Sequence, residues 1–339
     1  MDVIIQGAGG IGGVIAAELL RAGYTPALVT GNAEIADRIR QRGLCVTVPG
    51  RAFAIHPPAV SSLSELDPAR RFDVALLAMK ATRVLKAAGE VEPHLDPDGF
   101  VVSLQNGIVE DALSDRLGKQ RVVSAVVGWG GTMHAPGVVE RTSDGEIHLG
   151  ELDAPVSERV RQTARLLEAV TPVVCSDNMR GVLWSKLAIN ATITTLGALA
   201  GQLLGEMLVD RIARKVFAAI YAEAIDTADA LGVVLERVAA PPRLLYAPRS
   251  ASFARRLAVD ALIRAVGFRY RKLKSSMLQS LERGRSTEID YLNGYIARRA
   301  NQADVPAPCN TAATRMVKEI ERGEREIGPQ NLAELAGLI

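Results

Sequence analysis

Short apolar runs alternate with amphipathic stretches through the first half of this 339-residue chain. Val3-Ile4-Ile5-Gln6 has the length and apolar content of a buried strand, and Val14-Ile15-Ala16-Ala17-Glu18-Leu19-Leu20 reads as a helix. The pattern then predicts a strand over 27–30 and a helix over 33–42. Residues 45–48 and 53–55, joined by a Pro49-Gly50 turn, read as an inserted hairpin. A strand over 74–78 leads into a helix over 82–95, and a strand over 100–104 ends at Gln105-Asn106-Gly107. Uniformly apolar strands alternating with helices imply a parallel sheet covered on both faces. Between 122 and 151 the runs lengthen around Pro136-Gly137 and Asp144-Gly145, which predicts an antiparallel extension closing the domain. From about Asn178 the period becomes helical, with segments over 178–199, 209–231, 252–266, 288–302 and 311–323. Pro241-Pro242 and Pro306-Ala307-Pro308 punctuate them, and no repeat or low-complexity tract interrupts the chain. The expectation is an α/β fold: a doubly wound parallel sheet over 1–172, an all-helical domain over 173–339, and a cleft between them.

The junction between the first strand and the first helix carries chemistry. Gly7-Ala8-Gly9-Gly10-Ile11-Gly12 is a Gly-x-Gly-x-x-Gly turn in the strand-to-helix setting that a dinucleotide pyrophosphate requires. Gly7 allows the tight turn, Gly9 lets the backbone approach the phosphates, and Gly12 lets helix and strand pack closely. The helix N-terminus then points its free N–H groups at the anion. These six residues are candidate cofactor contacts, and the first domain reads as Rossmann-type.

Bulk properties narrow the partners. Lys+Arg 40 against Asp+Glu 38 leaves a net charge of +2, without the basic excess of a polyanion binder, so no nucleic-acid partner is expected. Hydrophobic content of 48% with only 4% aromatics means that Ala, Leu, Val and Ile pack the cores. Cys45, Cys175 and Cys309 have no metal-ligand spacing and read as free thiols, as in a reducing cytoplasm. Neither a metal nor a membrane partner is expected, and Met1 leads directly into the first strand without room for a signal peptide. His56, His94, His134 and His148 have no ligand spacing and no triad role. An exposed Ala/Leu-rich helical domain makes a homodimer plausible.

Ligands of doubly wound sheets sit outside the carboxyl ends of the strands, which selects Lys80 and Asn106. A solvated lysine and a turn-forming Asn-Gly are the plainer explanations of these two. In the helical half, Lys186, Asn190 and Thr194 are spaced four apart on one face. Lys186 is the only ionisable group between Gly181 and Gly205, and a lone charge in an apolar helix is costly unless it opens on a cleft or finds a partner. Ser275-Ser276-Met277 and Gly284 to Gly294 follow; Thr287 could N-cap a helix from Glu288, with Asp290 in its first turn. Glu288 and Asn293 could equally be surface residues.

Taken in order, these segments resemble the ketopantoate reductase (2-dehydropantoate 2-reductase) family. The resemblance rests on the glycine turn, Lys80-Ala81, Leu104-Gln105-Asn106-Gly107, Trp184-x-Lys186-Leu187-x-x-Asn190-Ala191, Ser275-Ser276-Met277, Thr287-Glu288-Ile289-Asp290-x-x-Asn293-Gly294 and Pro308-x-Asn310. It implies NADPH-dependent reduction of a 2-keto acid, ketopantoate to pantoate, in pantothenate and coenzyme A biosynthesis. Lys186 then matches the general acid, and Glu288 the carboxylate that binds the substrate oxygen and holds Lys186. Asn190, Thr194 and Ser276 match substrate-binding positions, and Lys80 and Asn106 lie near nicotinamide and substrate.

Several positions depart from the family pattern. Thr194 replaces a second asparagine, though threonine can still donate a hydrogen bond. Arg83 replaces a glutamine, and Ser280 an acidic residue. The stretch after the second strand, Val29-Thr30-Gly31-Asn32, lacks the carboxylate of NAD enzymes, which favours NADP. Gly31 also replaces the family's arginine, so Thr30, Asn32 and Arg38 are left to hold the extra phosphate. A basic stretch from Arg243 to Lys274 has two explanations, a solvated helical face or an anion-attracting wall. Three alternatives accompany the main reading: reduction of another 2-keto acid, a hydroxy-acid or opine-type dehydrogenase, and a catalytically silent NADP(H) sensor.

Overall fold

The computed structural model describes residues 1–238, 240–248 and 250–339; Arg249 of the basic stretch lies outside the described residues. The chain falls into two compact units, Met1–Gln105 with Val109–Met179, and Asn106–Ile108 with Arg180–Ile339.

In the first unit the strands are β1 (Val3–Gln6), β2 (Ala27–Val29), β3 (Leu44–Val48), β4 (Arg51–Ile55), β5 (Ala59–Val60), β6 (Phe72–Leu77), β7 (Leu95–Ser103), β8 (Val122–Val127), β9 (Gly131–Ala135), β10 (Val138–Arg141), β11 (Ile147–Gly150) and β12 (Val173–Cys175). The helices are α1 (Gly10–Arg21), α2 (Ala33–Arg42), α3 (Val84–Val91), α4 (Glu110–Leu117) and α5 (Glu158–Leu167). The main sheet runs β12-β11-β8-β7-β6-β1-β2-β5. Its pairs from β8 to β5 are parallel, and only β11 against β8 is antiparallel. The strand order reverses beside β1, as expected of a doubly wound sheet. Ile4, Ile5, Leu76 and Val102 are fully buried, because both faces of these strands are covered.

The antiparallel extension expected over 122–151 is present in part, since β11 pairs antiparallel with β8 and β10 with β9, but the rest of the stretch is arranged differently. β8 continues the parallel sheet, while β9 and β10 leave it to form a second sheet, β4-β3-β10-β9, with the hairpin at 44–55. The physical reason lies in α1. A Cβ on Gly10 would come within 2.2 Å of the Gly131 carbonyl carbon in β9, and one on Gly13 would meet Val139 of β10 at 3.0 Å. Small residues on α1 let this second sheet lie against the helix. The helix expected over 82–95 ends at Val91, where a 3-10 turn containing Pro93 intervenes.

The second unit is built from α6 (Met179–Ala200), α7 (Leu204–Met207), α8 (Arg211–Ala230), α9 (Phe253–Arg269), α10 (Ser276–Glu282), α11 (Asn293–Gln302), α12 (Pro308–Glu321) and α13 (Gln330–Ala336). Helix α6 is long and apolar enough to span a membrane by composition, yet it is mostly buried as a core helix. Trp184 on α6 is buried and its ring lies 5.8 Å from that of Tyr295 on α11. Thr195 on α6 donates to Asn293 Oδ1 at 2.5 Å, Asn293 Nδ2 donates to Asn310 Oδ1 at 3.0 Å, and Asn310 Nδ2 donates to Glu223 Oε2 at 2.7 Å. The Glu223 carboxylate also accepts the Cys309 and Asn310 N–H groups, which caps α12 from α8.

The helix expected over 288–302 is corrected as well. Ile289–Tyr291 is a 3-10 turn, Leu292 has φ −110° and ψ −102°, and the α-helix starts only at Asn293. Thr287 accordingly caps the turn, accepting from the Ile289 N–H, and Asp290 pairs with Lys318 Nζ at 2.6 Å rather than stabilising a helix dipole. Asn293 is fully buried, not a surface residue.

Candidate active site

The first unit has an opening at the carboxyl ends of β1, β2, β5 and β6. A cavity of about 400 Å³ is lined there by Gln6, Thr30, Ser61, Met79, Arg83 and Lys86, among others. Gly7, with φ +106°, also lines it, and a Cβ there would lie 2.9 Å from the Ala78 backbone. Gly9 sits in open space, and α1 begins without a side-chain cap or an acidic residue in its first turn. Its leading N–H groups and positive end are therefore available to an anion. Gln6 is 4% exposed, and its side-chain nitrogen lacks a hydrogen-bond partner although it borders the cavity. A buried orphaned donor at this place fits a polar ligand group, and the whole cradle fits a dinucleotide.

Not every sequence candidate contributes a side chain. Ala8 is buried in the core and Ile11 packs against it, so both offer backbone only. Gly12 would place a Cβ 1.9 Å from the Gly7 carbonyl oxygen, so its role is close helix–strand packing. Thr30 lines the cavity, but its hydroxyl donates to the Asn32 carbonyl at 2.6 Å. Asn32 Oδ1 is occupied in capping α2 through the Ile35 N–H. Arg38 lies beside Gly137 in the β9–β10 turn and is not among the lining residues. Lys80, half-buried, begins the 3-10 turn that leads to Arg83. Gln6, Ser61, Ser62 and Lys86 escaped the sequence reading; a polar residue ending the otherwise apolar β1 was the available signal.

A larger hollow of about 1240 Å³, lined by Asp73, Asp96, Arg121 and Arg159, opens at the amino ends of the parallel strands. Ligands of this architecture bind at the opposite ends.

The second unit gathers the other candidates. Asn190 Nδ2 donates to Asn106 Oδ1 at 2.9 Å, which leaves the Asn106 amide N–H groups and Asn190 Oδ1 for a ligand. Gly107 has φ +87°, and a Cβ there would stand 2.3 Å from the Tyr291 carbonyl oxygen. Glycine thus lets the Asn106 segment nest on the 3-10 turn that follows Glu288. Lys186, one helical turn before Asn190, is half-buried, and burial lowers its pKa from the ordinary 10.5. Glu288 is half-buried at the entrance to the same turn.

Thr194 differs from the expected donor: its hydroxyl donates to the Asn190 carbonyl at 2.7 Å, which leaves its oxygen as an acceptor. Ser275 caps α10 and is buried, whereas Ser276 is exposed at the first helical position. A Cβ on Gly197 would approach Ser275 within 2.9 Å, so this small residue seats α10 on α6.

The basic stretch is partly neutralised. Arg243 pairs with Asp229 at 2.6 Å, Lys274 with Glu282 at 2.7 Å, and Arg255 donates to the Arg243, Leu244 and Tyr246 carbonyls. Arg264, Arg269, Arg271 and Lys272 are exposed.

Comparison with known proteins agrees with this layout. Residues 3–154 match the family described as ketopantoate reductase PanE/ApbA, and residues 178–321 match its C-terminal region. The chain belongs to the ketopantoate reductase family. It is therefore an oxidoreductase acting on a CH–OH group, in a family of pyridine nucleotide-dependent reductases. A 2-dehydropantoate 2-reductase from Mesorhizobium japonicum is 28% identical over 95% of this chain and 99% of its own. The crystal structure of a PanE/ApbA family ketopantoate reductase from Ralstonia eutropha JMP134 superposes with TM-score 0.80 at 29% identity, covering 96% of this chain and 100% of its own. A D-mandelate dehydrogenase solved with NADH and anilino(oxo)acetate shares the fold, with TM-score 0.79 at 23% identity over 96% of this chain and 99% of its own.

Proposed function

We propose that this enzyme reduces 2-dehydropantoate to pantoate with NADPH, in the cytoplasmic route to pantothenate and coenzyme A. The observation that carries this reading is the cluster in the second unit. Lys186 and Asn190 share a face of α6, Asn190 holds Asn106, and the Asn106 segment rests on the turn after Glu288. When bound, reduced nicotinamide supplies a hydride to the substrate carbonyl carbon.

The chain's own groups do the rest. Protonated Lys186 polarises the carbonyl oxygen and delivers a proton to it as charge develops. Burial lowers its pKa, which makes it a stronger acid than a solvated lysine. Glu288 orients Lys186 and accepts from the substrate. The Asn106 amide donates to the keto acid, and Ser276 adds a hydroxyl at the N-terminus of α10. Lys80 and the glycine turn hold the dinucleotide. A homodimer is part of the proposal, because Phe253 (81% exposed) and Phe268 (75% exposed) stand on an open face of α9. Light scattering on the purified protein tests it.

A second reading, reduction of another 2-keto acid, is favoured by Thr194 offering only an acceptor where the family places an asparagine amide. NADPH oxidation with ketopantoate and a panel of 2-keto acids, with Lys186→Ala as control, decides between them. Turnover on ketopantoate that collapses in the variant supports the main reading, and turnover only on another acid moves the substrate. NADPH binding without any turnover replaces both with a sensor.

A further inference from the structure

We propose that Arg83 is the residue that selects the 2′-phosphorylated dinucleotide in this chain, taking over the charge that the β2 turn lacks. The inference rests on the reading of the first unit's cavity as the adenosine end of the cofactor site.

The β2 turn has little left to give a phosphate. The Thr30 hydroxyl donates to the Asn32 carbonyl at 2.6 Å, and the Asn32 N–H returns to Thr30 Oγ at 3.2 Å. Asn32 Oδ1 caps α2, and Gly31 contributes no side chain. Across the cavity, Glu65 takes the Ser61 hydroxyl and the N–H groups of Ser61 and Ser62 at 2.9 and 3.2 Å. Glu65 also engages Arg40, which is held by Asp37 at 2.6 Å as well. The Thr30 and Ser61 hydroxyls and the Ser61 and Ser62 N–H groups are thus committed to the protein, and Gln6 keeps a neutral donor on the lining.

The remaining cations on the lining are Arg83 and Lys86. Lys86 lies 3.6 Å from Glu90. Arg83 is exposed and makes no ion pair among the described residues. Its planar, permanently charged fork can engage two phosphate oxygens at once, which a point-charge ammonium cannot. Gly31, with φ +67° and no atoms within 4 Å of a Cβ, leaves open space on the facing side for the phosphate.

The test is calorimetric titration of the full-length protein with 2′,5′-ADP and with 5′-AMP, using wild type, Arg83→Gln, Arg83→Lys and Lys86→Gln. Arg83 is on the surface, so an unchanged melting temperature confirms that its variants are folded. Arg83→Gln is expected to weaken 2′,5′-ADP about 10- to 100-fold, the range for charge-assisted hydrogen bonds, and to leave 5′-AMP within about twofold. Arg83→Lys recovers part of the loss, and Lys86→Gln has the smaller effect. A wild type that prefers 2′,5′-ADP while Arg83→Gln keeps that preference overturns the assignment to Arg83 and leaves the NADP reading standing. Equal binding of both nucleotides by wild type overturns the NADP reading itself. Failure to bind either nucleotide overturns the identification of the cavity.

Discussion

Gly9 and Gly12 lie three residues apart in one turn, yet alanine at each should fail in a different way. A Cβ on Gly12 would lie 1.9 Å from the Gly7 carbonyl oxygen and 2.8 Å from Ala78 Cβ, well inside the 3.0 Å that Cβ contacts respect. The obstacle is backbone, so β1 and α1 must separate by about 1 Å or more through a close-packed core. Overpacking of this kind costs about 1–3 kcal/mol and more where the backbone must move. Near the top of that range, the first unit's melting temperature falls by about 6–12 °C. Gly9 differs on both counts. Its φ of −71° suits alanine, and nothing lies within 4 Å of the added carbon. Gly9→Ala should therefore keep stability to within about 1 kcal/mol. On the proposed cofactor role its methyl group takes the space the pyrophosphate needs, so NADPH binding should weaken about 10-fold or more. Differential scanning calorimetry paired with nucleotide titration reads both effects. Equal destabilisation by the two variants, or wild-type nucleotide affinity in Gly9→Ala, would refute the division of roles.

Lys186→Ala should lower kcat by about 10²- to 10⁴-fold, the usual share of a general acid. In the wild type, kcat/KM should fall with rising pH along a limb below the ordinary lysine value of 10.5, because burial lowers the Lys186 pKa; a limb unchanged in Lys186→Ala would assign it to another group. Glu110 is buried, accepts from the Val109 N–H at 2.9 Å and hydrogen-bonds Ser103 at 2.5 Å, and burial raises its pKa above the ordinary 4.5. The folded first unit therefore holds a proton that the unfolded chain has lost, so its stability is full below 4.5 and declines as pH rises through the raised value. Glu110→Gln mimics the protonated acid and should flatten the pH dependence of the urea midpoint; parallel curves would exclude Glu110 as the source. Glu223→Ala strands the Cys309 and Asn310 N–H groups and the Asn310 amide without their acceptor, and should cost the second unit about 3 kcal/mol or more in chemical denaturation. A midpoint near wild type would mean that water replaces the carboxylate.

Much of the fold was legible because the information is local. Apolar runs of four to six residues and the glycine turn locate β1, α1, β2 and β6 from neighbouring residues alone. Asn32 and Ser252 mark the starts of α2 and α9 in the same way, each accepting a hydrogen bond from the first turn. The candidate site was legible in its chemistry, since a lone lysine in an apolar helix carries its own signal. Its neighbours were not. Nothing near Gly10 announces that β9 lies against it, and nothing near Glu223 shows that the residue caps a helix more than eighty positions away. The same holds for Arg83, which sequence marks only as a departure and which the fold brings to the cavity shared with Thr30.

By itself, then, the sequence determined the period of β1, α1, β2, α2 and β6, the glycine-rich turn after β1, the uncharged β2 turn and the spacing of Lys186, Asn190 and Thr194. Those features depend on residues within a few positions of each other, where covalent geometry sets what can meet. Tertiary structure alone decided the second sheet of β3, β4, β9 and β10, the break at Leu292 that buries Asn293, the pairing of Asn106 with Asn190, and the use of Thr194's proton. These last features are set by which surfaces pack together and which hydrogen-bonding groups remain unsatisfied once they do. Both are properties of the whole chain, invisible in any short window of it.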